Sequence, residues 1–121
     1  MKVLFIDDDL MTAEWVSLFL SSNDIETKTA DSLSTAKECL RGWIPDLIVS
    51  DLSLNGDNAF SLLDHLATDE TTTRIPVIAL TGYSLKDSDK GRFQGYLTKP
   101  VAPEELLNMI QKTAQHRRKG E

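Results

Sequence analysis

The chain has 121 residues, 40% of them hydrophobic and 26% charged, which suits one domain with a packed core and is too little for two. A formal net charge of −6 leaves no basic face to spare and argues against nucleic-acid binding as the main activity. The single cysteine, Cys39, excludes an intrachain disulfide and a thiolate metal cluster, and no apolar run approaches the ~20 residues that cross a membrane.

Residues 2–6 read as a strand, Val3-Leu4-Phe5-Ile6, that runs straight into Asp7-Asp8-Asp9. With three aspartates so close to the start no secretory leader is expected there, and a reducing, cytoplasmic location is the default expectation. Asp9 or Thr12 can cap the next element, a helix carrying Met11, Trp15, Leu18 and Phe19 at helical spacing. Residues 25–29 alternate apolar and hydroxyl side chains and predict a short second strand. Asp31 to Ser34 offer caps for a helix with Leu33, Ala36, Cys39 and Leu40 on one face, with Cys39 acting as a small buried hydrophobe. Gly42 ends that helix.

Asp46 to Leu54 holds the central strand, an apolar run that stops on Asp51. Residues 52–58 read as a loop, and residues 59–67 as a helix with Phe60, Leu62, Leu63 and Leu66 forming its stripe. Pro76 to Leu80 is another buried strand, closed by Thr81-Gly82. Residues 83–95 are the weakest stretch. Leu85 and Phe93 are their only apolar anchors and Gly91 interrupts them, so a short, irregular and loosely held helix is expected. Gly95 to Thr98 is the last strand, ending on Lys99-Pro100. Pro103 opens a final amphipathic helix through Leu106, Leu107, Ile110 and Ala114. The polar tail 116–121 lies outside a core of about residues 2–115.

Short apolar runs without alternation suit strands buried on both faces. Strands and helices alternating five times therefore predict a doubly wound α/β domain, with a parallel sheet and helices on both sides. In such sheets the functional crevice lies beyond the carboxyl ends of the strands. Those ends carry Asp7, Asp8, Asp51, Thr81 and Lys99. Converging carboxylates raise one another's pKa unless a cation compensates them. Mg²⁺ (or Mn²⁺) takes one or two carboxylates and leaves room for a phosphate oxygen, while Lys99 and Thr81 can contact the same phosphate. These are the parts of a phosphoryl-transfer site with a carboxylate nucleophile.

Four pieces in this order, which carry Asp7, Asp8, Asp51, Thr81 and Lys99, make the sequence resemble the receiver domain of bacterial two-component response regulators over nearly its whole length, from Lys2 to about Ala114. They are Asp7-Asp8, the aspartate of Val49-Ser50-Asp51, Thr81 in Ala79-Leu80-Thr81-Gly82, and Tyr96-Leu97-Thr98-Lys99-Pro100. The resemblance implies a flavodoxin-like fold with strand order 2-1-3-4-5 and a single receiver spanning residues 1–121. It implies that Asp51 is phosphorylated by a histidine kinase or histidine phosphotransfer protein. Asp8 is then the direct metal ligand, Asp7 its partner, and the Ser53 backbone carbonyl a third ligand. Thr81 and Lys99 contact the phosphoryl group, Tyr96 moves inward when Thr81 shifts, and Lys99-Pro100 is cis. The chain is expected to be a monomer that catalyses only its own phosphorylation and dephosphorylation, with no nucleic acid or membrane partner.

Two alternatives stand beside this. A degenerate receiver would bind proteins without being phosphorylated. A metal-dependent hydrolase would want an acid where Ser53 stands and a cap that this sequence lacks. Tyr96 also reads as an ordinary packed aromatic. Two departures from the family pattern matter. Asn55 and Ala59 replace a usual proline and glycine, with Gly56 free to make the turn. The segment between Thr81 and Lys99 is shorter than usual by roughly one helical turn, about four residues, which puts the usual output face in question.

Overall fold

A computed structural model describes residues 1–54, 56–82 and 85–119, with side chains undescribed at Lys90 and at residues 116–119. Expectations touching Asn55, residues 83–84 and the polar tail's side chains fall outside the described residues.

The elements run β1 (Lys2–Ile6), α1 (Leu10–Ser21), β2 (Glu26–Ala30), α2 (Leu33–Gly42), β3 (Leu47–Asp51), then a small hairpin β4 (Ser53–Leu54) and β5 (Asp57–Asn58). They continue with α3 (Ala59–Leu66), β6 (Val77–Thr81), α4 (Asp87–Lys90), β7 (Gly95–Thr98) and α5 (Pro103–Lys119). Five strands form one parallel sheet in the order β2-β1-β3-β6-β7. This is the expected 2-1-3-4-5 winding, with the hairpin adding two strand labels. The stretch after Asp51 is not the plain loop that its composition predicts. Ser53 pairs with Asn58 and Leu54 with Asp57, and Gly56 supplies a φ of 87° between them.

The unbroken apolar runs are explained by two cores. Successive side chains of a strand point to opposite faces. Leu4, Ile6, Ile48, Val77 and Ala79 pack on one side against α2 and α3. Val3, Phe5, Leu47, Val49, Ile78 and Leu80 pack on the other side against α1 and α5. Caps set where the helices start. The Asp9 carboxylate accepts from the Met11 N–H at 3.1 Å. Ser32 and Thr35 form a reciprocal capping box at α2, and Asn58 accepts from the Ser61 N–H at α3.

Three expectations need correction. In α1 the residues facing the core are Ala13, Val16 and Leu20, whereas Met11, Trp15 and Leu18 face outward and Phe19 is partly buried. With large apolar residues on both sides of the helix, spacing alone gives no way to choose its inner face. Cys39 is only half-buried. The segment after Thr81 does shrink α4 to a single turn, but its two apolar anchors are buried more fully than expected. Leu85 and Phe93 are both buried in the core beside α3. The Phe93 ring lies 5.3 Å from Phe60, and Arg92 ion-pairs with Asp64 at 3.1 Å while stacking 5.2 Å over Phe60.

Candidate functional site

Register lines up the carboxyl ends of the strands. Ile6 lies beside Ser50, Asp51 beside Leu80, and Thr81 beside Thr98. One step beyond β1 comes Asp7, and one step beyond β7 comes Lys99, whose N–H donates to the Thr81 carbonyl at 2.7 Å. The sheet thus delivers Asp7, Asp51, Thr81 and Lys99 to one edge. The Lys99-Pro100 peptide is cis.

Oxygens of Asp7, Asp8 and Asp51 all lie within 4.8 Å of one another. Asp7 is buried, while Asp8 and Asp51 are partly open to solvent. Lys99 Nζ donates to Asp51 Oδ2 at 3.0 Å and stands 3.8 Å from Asp7 Oδ2. Asp7 Oδ1 accepts from the Asp9 N–H at 2.9 Å, but Asp7 Oδ2 is buried with no hydrogen-bond donor. Burial pushes the Asp7 carboxyl above its ordinary value. The Asp9 N–H and Lys99 oppose this, while the charges of Asp51 and Asp8 add to it. For Lys99, burial alone would lower the pKa, but the hydrogen bond to Asp51 and the charges of Asp7, Asp51 and Asp8 outweigh it and raise the pKa.

A buried carboxylate oxygen without a donor, facing two further carboxylates, is what a hard cation with oxygen ligands would complete. The donor set fits such an ion, and it is of a kind and spacing that can hold one. Asp9 is not part of the cluster. It caps α1, and the hydroxyl of Thr12, 2.9 Å away, holds its carboxyl below the usual range.

Thr81 is buried at the end of β6. Tyr96 is half-buried and packs against the core that contains Phe93. Ser53 sits in the hairpin two residues beyond Asp51, its side chain exposed. Two grooves open next to the cluster. One of ≈ 480 Å³ between α1 and the start of α5 includes Asp9, Thr12 and Lys99, and one of ≈ 250 Å³ between α1 and α2 includes Asp7 and Thr35. The sequence reading missed the Arg92–Asp64–Phe60 closure and the outward face of α1. Only the presence of large apolar residues on both sides of α1 hinted at the second.

The family model described as response regulator receiver domain matches residues 3–111. The chain belongs to that family. The receiver is similar to the chemotaxis response regulator CheY4 of Vibrio cholerae, with a TM-score of 0.85 and 27% identity over 93% of this chain and 97% of that one. It is 30% identical to an uncharacterised 14.6 kDa protein of Leptolyngbya boryana, covering 92% of this chain and 88% of the relative. It is 29% identical to the phosphate regulon transcriptional regulatory protein PhoB of Escherichia coli (strain K12), over 90% of this chain. There the receiver spans about half of the relative, 49% of its length. Among the described residues no helix is long and apolar enough to cross a membrane. Receivers of this family serve two-component signalling, as partners of histidine kinases or phosphotransfer proteins.

Proposed function

We propose that Asp51 accepts a phosphoryl group from the phosphohistidine of a kinase or phosphotransfer protein. The N–P bond of the donor breaks, an O–P bond forms at an Asp51 carboxylate oxygen, and the neutral imidazole leaves. The observation that carries the reading is the orphaned Asp7 Oδ2, buried within 4.8 Å of Asp8 and Asp51 oxygens. Asp7, Asp8, Asp51 and the Ser53 backbone carbonyl would hold Mg²⁺ or Mn²⁺, with Asp8 as the direct ligand. When bound, the cation supplies charge neutralisation at the transferring phosphoryl oxygens.

The chain's own residues do the rest. Lys99 holds the Asp51 carboxylate in place at 3.0 Å and carries a compact charge for the new phosphoryl oxygens. The Thr81 hydroxyl donates to one of those oxygens. Its movement toward Asp51 leaves space that Tyr96 fills, which is how the modification reaches the surface. Catalysis is limited to the chain's own phosphorylation and dephosphorylation. A cytoplasmic monomer fits this role. Incubation with a small-molecule phosphodonor and Mg²⁺, followed by intact mass, tests the reading. A phosphate-sized gain that disappears in Asp51→Asn supports it. No gain in the wild type sinks it and leaves a receiver that binds partners without being phosphorylated.

A further inference from the structure

β2 lies at one margin of the sheet and is bonded to β1 on one side only. The Glu26 N–H donates to the Met1 carbonyl, and the Ala30 carbonyl accepts from the Asp7 N–H. Residues 26 and 30 therefore turn these backbone groups inward. That direction alternates along a strand, so Lys28 shares it, while Thr27 and Thr29 turn their N–H and C=O groups outward. Thr27 is half-buried, and Glu26, Lys28 and Thr29 are exposed. A row of outward backbone groups is a template for another strand.

Side chains select which strand. Glu26 and Lys28 share the α2 face of the sheet, where the Trp43 indole N–H donates to Glu26 Oε2 at 2.9 Å and Lys28 Nζ lies 4.9 Å over the Trp43 ring. One indole thus holds a carboxylate and an ammonium in place, which lowers the entropy cost of using them. The pattern Glu26-Thr27-Lys28 is complementary to itself when run backwards. With two copies of β2 antiparallel about a two-fold axis at Thr27, Thr27 pairs with Thr27 through the outward backbone groups. Glu26 of each copy then falls directly opposite Lys28 of the other. Moving the axis to Lys28 keeps the backbone pairing but sets Lys28 against Lys28, and like charges directly opposite are destabilising. We infer that β2 pairs antiparallel with β2 of a second copy of this chain, in the register centred on Thr27, with Glu26–Lys28 ion pairs on either side of the axis. The strand is short and each copy carries a net charge of −6, so the association is weak and reversible. The single copy proposed for phosphotransfer is the state at low concentration, and the pairing does not rest on phosphorylation of Asp51.

Sedimentation and amide hydrogen exchange of the whole chain, from low micromolar to millimolar concentration at about 0.15 M salt, test this. The average mass should rise with concentration. Exchange at the Thr27 and Thr29 amides should slow with it, while the Lys28 amide, already bonded to β1, changes little. Glu26→Lys and Lys28→Glu should each weaken self-association by at least about tenfold, since each sets like charges opposite one another. Glu26→Lys should do so although it makes the chain less negative. Mixing the two variants should restore association, because each then meets opposite charges in the other. Both substituted side chains are exposed, so the variants should keep wild-type amide shifts outside β2 and its Trp43 contact and still take up phosphate from a small phosphodonor. That readout separates failure of this inference from failure of the phosphotransfer reading. A monomer at every concentration would overturn the inference and leave Glu26 and Lys28 as guards of a bare edge. So would association that survives both single variants, a mixture that fails to re-associate, or slowed exchange confined to other elements.

Discussion

Replacing Asp7 by asparagine removes the cost of a charge that is both buried and crowded by other carboxylates. The amide of the Asp7→Asn variant keeps an oxygen for the Asp9 N–H and puts a neutral NH₂ in place of the charged oxygen on the buried, donorless side. With an effective dielectric of about 20, a carboxylate pair at the 4.8 Å outer limit of the cluster costs about 3.5 kcal/mol, and Asp7 forms two pairs within that limit. The attraction to Lys99 at 3.8 Å returns about 4 kcal/mol. Repulsion wins by about 3 kcal/mol, and solvent at partly exposed Asp8 screens this to about 1–2 kcal/mol. Asp7→Asn should therefore raise the melting temperature in chelator at pH 7 by about 3–8 °C. The sign with pH follows from the raised pKa. Ionised Asp7 destabilises the fold fully above its folded pKa, and the penalty is relieved as pH falls through that value toward 3.8, the ordinary value. The advantage of the variant should shrink over the same window. It should also gain less stability from Mg²⁺ than the wild type does. Calorimetric melts at pH 7 and below pH 4, with and without Mg²⁺, decide the matter. A variant that melts at or below wild type in chelator at pH 7 would refute the reasoning.

Asp8→Ala should weaken Mg²⁺ binding by at least about tenfold by calorimetry, the effect of losing one carboxylate ligand, and unchanged affinity would count against the ligand assignment. Phe93→Ala should cost about 3–4 kcal/mol in denaturant melts and release the amides of residues 85–94 to faster hydrogen exchange, since Phe93 is buried against Phe60. A loss within 0.5 kcal/mol, roughly the effect of a surface change, would mean that the segment does not depend on that anchor. The raised pKa of Lys99 contributes stability that is fully present below pH 10.5 and lost as pH rises through its folded pKa. The stability gap between wild type and Lys99→Met should therefore close on the alkaline side, as followed by melts between pH 8 and about pH 12.

The site was legible because each of its residues ends an apolar run. Asp7, Asp51 and Thr81 close β1, β3 and β6, and parallel register turns those separate endings into one edge. The same logic explains what was not legible. In α1 both faces are apolar, so helical spacing picked Met11, Trp15 and Leu18, and only packing chose Ala13, Val16 and Leu20. In the segment after Thr81, counting apolar residues missed how completely Leu85 and Phe93 are buried. It also missed Arg92, whose ion pair and ring contact lie 28 and 32 positions away in sequence, at Asp64 and Phe60. Residues 53–58 carry hydroxyl, amide and glycine side chains typical of a loop, and their pairing depends on a backbone turn at Gly56 rather than on strand-forming side chains.

Asp51, and no other aspartate of the cluster, is proposed to carry the phosphoryl group. Treating the Mg²⁺-loaded protein with a small phosphodonor, reducing the acyl phosphate with borohydride and mapping peptides by mass tests this most directly. Reduction converts a phosphorylated aspartate into homoserine. The predicted result is homoserine at position 51 alone, absent when Mg²⁺ is chelated. Homoserine at position 7 or 8, or at none of the three in the presence of Mg²⁺, would contradict it.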